Sequence, residues 1–103
     1  VPRLSWIAGQ MTDTVPDHFI AVSHVPPFNG DFDPALVPPY VHQLASDERM
    51  ILSLHGHNGS YSDRHPYGDH VRYIVCNAMV NPEFLVLRIH DGQVVAEMMN
   101  YRD

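Results

Sequence analysis

Histidines stand at the ends of two apolar runs that we predict to be buried strands. Residues 51–54 lead into His55 and His57, and residues 19–22 lead into His24, which two prolines follow closely. Proline cannot continue a central strand, so His24 marks a strand end. On extended backbone His55 and His57 would point to the same side, because the side-chain period of a strand is two. Each run alone could be a strand that simply ends in polar residues, and the presence of two such runs favours a functional site.

The composition excludes several other functions. The 103 residues carry a formal net charge of −6 and include six arginines but no lysine, so we expect no basic surface for nucleic acid. A hydrophobic content of 45% is ordinary for a folded protein, which predicts one domain over residues 1–103. No apolar run approaches the length of a membrane span. Without lysine, a phosphate-handling site in this chain would rely on a metal ion, and imidazole suits zinc, iron or nickel.

The elements that must position these histidines form a strand–helix–strand unit. Apolar residues at helical spacing predict a short amphipathic helix over residues 3–11. Strands are predicted over residues 18–23 and 50–54, with a helix over residues 38–45 between them, which is a βαβ unit with two parallel strands. The first strand is apolar on both sides, which favours a central position in the sheet. His24 and the histidines at 55 and 57 then fall at the carboxyl ends of adjacent strands, where open α/β sheets place their sites.

The character of the chain changes after His57. Residues 58–69 are polar and predict a loop. Antiparallel strands are predicted over residues 71–76, 83–89 and 93–101, and the last two are joined by Asp91-Gly92, a two-residue hairpin signal. The fold class predicted for residues 1–103 is therefore α/β in its first half and α+β as a whole, with a βαβ unit followed by antiparallel strands.

The order of these parts resembles the C-terminal part of calcineurin-like metallophosphoesterases. The likeness covers essentially the whole chain and is carried by the helix with Trp6, the Ser-His-x-Pro-Pro motif at His24, the Gly-His pair at His57 and the closing strands. It implies a four-layer α/β-β/α sandwich with two divalent metal ions, manganese, iron or zinc, at the strand ends. His24 and His57 match histidines that ligate the second metal. The activity implied is the hydrolysis of a phosphoester substrate.

This sequence departs from the family pattern in two ways. The last histidine of the family's Gly-His-x-His would fall at Gly59, so one ligand of the first metal is absent; in an alternative register, His55 and His57 form the His-x-His pair. The first register is preferred because Gly56 keeps the tight turn, which leaves His55 as a neighbour of the metal ligands. The family's N-terminal motifs, Asp-x-His, Gly-Asp and Gly-Asn-His, are also missing from their expected context. The resemblance therefore implies a C-terminal portion without its N-terminal half, inactive by itself, with exposed edges that favour self-association.

Two other functions remain open. The chain could be a non-catalytic metal-binding module with a complete set of ligands, or a degenerate phosphoesterase fold that serves as an interaction domain. A half-built phosphoesterase site requires His24 and His57 to converge beside an open sheet edge. A complete module requires at least three ligands around one ion, and a degenerate domain predicts histidines that are turned apart or bonded locally.

Overall fold

The predicted strand–helix–strand unit forms the first half of the structure. The computed structural model describes residues 3–76 and 83–100, with side chains for all but 83 and 100. Its first elements are helix α1 (Leu4–Gln10), strand β1 (Phe19–Val22), a 3-10 turn (Pro34–Leu36), helix α2 (Val37–Ala45) and strand β2 (Met50–His55). β1 and β2 pair in parallel, so the predicted parallel βαβ unit is confirmed.

The remaining strands complete two sheets. In chain order they are β3 (Ser62–Arg64), β4 (Arg72–Val75), β5 (Glu83–His90) and β6 (Gln93–Asn100). The first sheet has the order β1-β2-β4-β3, and β5 and β6 form the second as an antiparallel hairpin. The described part is thus a small mixed α/β domain with two α-helices and two sheets, compatible with the α+β class. Neither α-helix is long and apolar enough to cross a membrane.

Strand β1 does not occupy the predicted central position. It pairs only with β2 among the described strands and forms one edge of its sheet. Phe19 and Ala21 are half-buried, whereas Ile20 and Val22 are exposed, with 72% of Val22 accessible. The central position predicted from apolar residues on both sides of the strand is therefore wrong, because the described residues cover only one of the two faces of β1.

The prediction that β4 is an antiparallel strand is correct for only one of its two neighbours. β4 lies between β2, to which it is parallel, and β3, to which it is antiparallel. β3 occurs in the segment predicted as a loop, where its residues are polar, and Arg72 of β4 donates to the Asp63 carboxylate of β3. The predicted hairpin is confirmed, with the turn at Asp91-Gly92. Its predicted end at Tyr101 lies outside the described residues.

The first sheet is covered on both faces at its centre. Tyr40 and Leu44 of α2 pack with Tyr73 of β4 in the main core, and the Tyr40 hydroxyl bonds to Ser53 of β2. Leu52, which points to the opposite face because side chains alternate along a strand, is fully buried as well. β6 contacts β2, and Arg72 donates to the Val94 carbonyl of β6, so the hairpin covers that second face. This two-sided packing fixes β2, whose carboxyl end carries the site.

Candidate functional site

His24 and His57 meet at the carboxyl ends of β1 and β2. Nε2 of His24 lies 3.2 Å from Nδ1 of His57, and the two ring planes are nearly perpendicular, at 87°. The strand ends are tied by backbone bonds, with the Ser23 amide donating to the Leu54 carbonyl at 3.0 Å and the Gly56 amide donating to the His24 carbonyl at 2.9 Å. The structure therefore brings together the two residues that the sequence places at adjacent strand ends.

His55 does not share a side with His57. β2 ends at His55, and His57 adopts a left-handed conformation with φ of 70°. Such a φ is uncommon for a residue other than glycine, and it ends the side-chain alternation of the strand. His57 consequently turns outward toward His24, while His55 points into the core. The expectation that the two histidines lie on one side is wrong, because extended backbone does not continue to residue 57.

His55 forms part of a buried chain of hydrogen bonds. Its Nδ1 donates to the Ser23 carbonyl oxygen at 3.1 Å, so its Nε2 accepts from the Ser53 hydroxyl at 2.6 Å in the neutral ring. Ser53 in turn accepts from the Tyr40 hydroxyl at 2.9 Å. The ring is 3% exposed and stacks on Tyr73, and burial lowers the pKa of His55 to about 4. His55 thus supports the strand end that carries His24, and both of its ring nitrogens are engaged inside the core.

Asp31 is the residue of this site that the sequence did not reveal. Its Oδ2 lies 2.7 Å from Nε2 of His57, on the opposite side of the ring from His24. Asp31 lies in the irregular loop between β1 and the 3-10 turn, where a carboxylate carries no periodic signal. The nearest signal was its place seven residues after His24, next to the Asn29-Gly30 turn. His24, His57 and Asp31 therefore form a short row of side chains at the edge of the first sheet.

The chemistry of this row fits part of a metal site. Two imidazole nitrogens on one tetrahedral ion, each about 2.0–2.1 Å from it, are about 3.3 Å apart, close to the separation seen here. No group of three or more histidine, cysteine, aspartate or glutamate side chains in residues 3–76 and 83–100 is arranged to hold an ion by itself. The described residues can therefore offer two imidazole ligands from His24 and His57, but not a full ligand set.

In the register preferred from the sequence, the resemblance implies that Gly59 stands where the metallophosphoesterases have their last histidine. Its φ is +72°, and the space around a side chain there is open. A histidine would fit sterically but would have to adopt a left-handed conformation, which costs about 1–2 kcal/mol. Position 59 also lies beyond the end of β2, so spacing of two residues from His57 does not place the two side chains on one face.

Comparisons with known proteins bear on the fold. No protein-family model matches the chain, and no curated protein matches it. Among solved structures, the chain is similar to the solution NMR structure of protein TM1076 of Thermotoga maritima, with a TM-score of 0.54 and 18% sequence identity. The match covers 81% of this chain and 48% of that protein, so this chain spans about half the length of the structure that it matches. At this low identity the likeness shows a shared mixed α/β fold, and it leaves the function to be argued from the site.

Proposed function

We propose that this chain contributes His24 and His57 as two ligands of a divalent metal site in a phosphoester hydrolase of the calcineurin-like type. The observation that carries the proposal is the 3.2 Å approach of the two ring nitrogens, His24 Nε2 and His57 Nδ1. They approach at the carboxyl ends of two parallel strands, the position at which open α/β sheets bind ligands. The Ser-His-x-Pro-Pro and Gly-His motifs that carry these residues add the resemblance to the family.

The metal ion would supply the chemistry, and these residues would hold and orient it. A bound manganese, iron or zinc ion polarises phosphoryl oxygens and lowers the pKa of a coordinated water. His24 and His57 would be its ligands, and the backbone bonds between Ser23 and Leu54 and between Gly56 and His24 fix how far apart those ligands lie. Because neutral imidazole binds through a lone pair, both rings must present an unprotonated nitrogen to the ion.

The ligand count limits what the chain does by itself. A catalytic zinc normally has three protein ligands, and a dinuclear site needs more. The proposal therefore assigns the remaining ligands to a partner segment, and it assigns no hydrolysis to residues 1–103 alone. The edge of β1 that no described strand covers, with Ile20 and Val22 exposed, gives such a segment access to the strand that ends beside His24.

The local bonds of the site also suit a degenerate domain that binds no metal. His57 is bonded both to His24 and to Asp31, so hydrogen bonds within the chain connect the three side chains without an ion. The two functions differ in one measurable property, the affinity of His24 and His57 for a divalent cation.

Titration with zinc, followed by calorimetry and by the NMR signals of the histidine rings, tests the proposal. We expect zinc to perturb the rings of His24 and His57, and we expect His24→Ala and His57→Ala each to weaken binding by at least about tenfold, because each removes one of two ligands. His90→Ala is the matched control, since His90 is the last residue of β5, beside the hairpin turn, and is exposed. Zinc binding that is equally strong in all three variants, or no binding by the unaltered chain, would overturn the proposal in favour of a metal-free interaction domain.

A further inference from the structure

We propose that Asp31 is a positioning residue that fixes the tautomer and the ring orientation of His57, so that Nδ1 of His57 faces the cation. The part played by the cation rests on the proposed function. The effect of Asp31 on the tautomer does not, because it follows from the hydrogen bonds of the chain alone.

The first step is the assignment of protons on the His57 ring. A carboxylate oxygen only accepts hydrogen bonds, so the 2.7 Å contact with Asp31 places a proton on Nε2 of His57. The neutral imidazole carries one proton, which leaves the lone pair on Nδ1. That lone pair faces Nε2 of His24 at 3.2 Å, so His24 donates to it when no cation is present.

The second step is the anchoring of the loop that carries Asp31. The Asp31 side chain is 71% exposed, but its backbone is held on both sides. Its amide donates to Oδ1 of Asn29 at 2.8 Å, and Nδ2 of the same Asn29 donates to Asn58, the residue after His57. Phe32, the next residue in the loop, is 5% exposed and packs against Tyr40. The carboxylate is therefore held at a fixed place relative to the turn at residues 57–58.

The third step is the consequence for a metal ligand. A carboxylate that accepts the far N–H of an imidazole fixes which nitrogen can bind the ion and raises the basicity of that nitrogen. The left-handed backbone of His57, with φ of 70°, sets the direction of the ring, and the hydrogen bond to Asp31 keeps the ring in that orientation. Asp31 thus acts on the cation through His57 and is not required to touch it.

Asp31→Asn tests this role, with Asp33→Asn as the matched control. Both changes remove one negative charge from the same loop, but Asp33 accepts from the Ala35 amide as a helix cap, a bond that asparagine also makes. We expect the ring ¹⁵N shifts of neutral His57 to report a single Nε2–H tautomer in the unaltered chain and in Asp33→Asn, and a mixture in Asp31→Asn. Zinc affinity should fall about 10–100-fold in Asp31→Asn and change less than about twofold in the control.

Asn29→Ala provides a second variant that leaves the charge unchanged. It releases the loop from Asn58, so it should produce the same mixture of tautomers if the anchoring matters. An unchanged single tautomer in Asp31→Asn would overturn the inference, as would equal losses of zinc affinity in Asp31→Asn and Asp33→Asn. If the tautomer changes in Asp31→Asn but the unaltered chain binds no zinc, the proposed function fails while the role of Asp31 in orienting His57 is supported.

Discussion

Lowering the pH from 7 to 4 is expected to reduce the free energy of unfolding by about 3 kcal/mol through His55 alone. Burial lowers the pKa of His55 from its ordinary 6.5 to about 4 in the folded chain. The unfolded chain therefore takes up this proton first, and protonation pulls the equilibrium toward unfolding. The stabilising contribution is fully present above pH 6.5 and is lost as the pH falls toward 4.

Urea unfolding at several pH values measures this contribution, and His55→Gln is the control. Glutamine does not titrate, yet it can donate to the Ser23 carbonyl and accept from the Ser53 hydroxyl, as His55 does. The carboxylates of the two proteins are the same, so their own pH dependence cancels in the comparison. Between pH 7 and pH 4, we expect the free energy of unfolding of His55→Gln to fall by about 3 kcal/mol less than that of the unaltered protein. Parallel curves for the two proteins would show that His55 does not titrate as a buried group.

Tyr73→Ala is expected to lower the free energy of unfolding by about 3–5 kcal/mol, the range for removal of a large buried aromatic ring. Tyr73 is fully buried at the centre of β4. Its ring packs edge-on against Tyr67 and Phe28, with centroids 5.2 Å and 6.2 Å away, and His55 stacks on it. Removal of the ring leaves a cavity lined by the side chains of His55, Tyr67 and Phe28.

Tyr73→Phe separates the ring from its hydroxyl. The hydroxyl is buried and has no hydrogen-bond partner among the described residues, so its removal breaks no bond there. We expect the stability of Tyr73→Phe to stay within about 1 kcal/mol of the unaltered protein, measured in the same urea series. A loss as large as that of Tyr73→Ala would mean that the hydroxyl, and not the packing of the ring, is the stabilising group.

The sequence predicts those features that depend on local pattern. The parallel β1–β2 pair follows from two apolar runs separated by a helix, and the β5–β6 hairpin follows from alternation around Asp91-Gly92. The meeting of His24 and His57 follows from the same reasoning, because the carboxyl ends of parallel neighbours lie at one edge of a sheet. These are consequences of period and connectivity, which the order of residue types contains.

The features that were missed depend on long-range contacts or on single backbone angles. The residue pattern of β4 does not predict that it pairs with β2 or that the two strands run parallel. The position of β1 depends on which other parts of the chain pack against it. The left-handed φ of His57 separates it from His55, although the spacing predicts the opposite. Asp31 reaches His57 because a loop folds back through Asn29 and Asn58, a contact between residues far apart in the chain.

The edge position of β1 has a consequence for the exchange of backbone hydrogens with deuterium. The amides of Phe19 and Ser23 donate to the carbonyls of Arg49 and Leu54, so alternation turns the amides of Ile20 and Val22 toward the edge that no described strand covers. The first two amides should exchange slowly and the other two rapidly. A segment that paired with this edge would slow exchange at Ile20 and Val22 alone. The exchange rates of these two amides therefore report whether a strand has paired with this edge of the sheet, whatever the sequence of that strand.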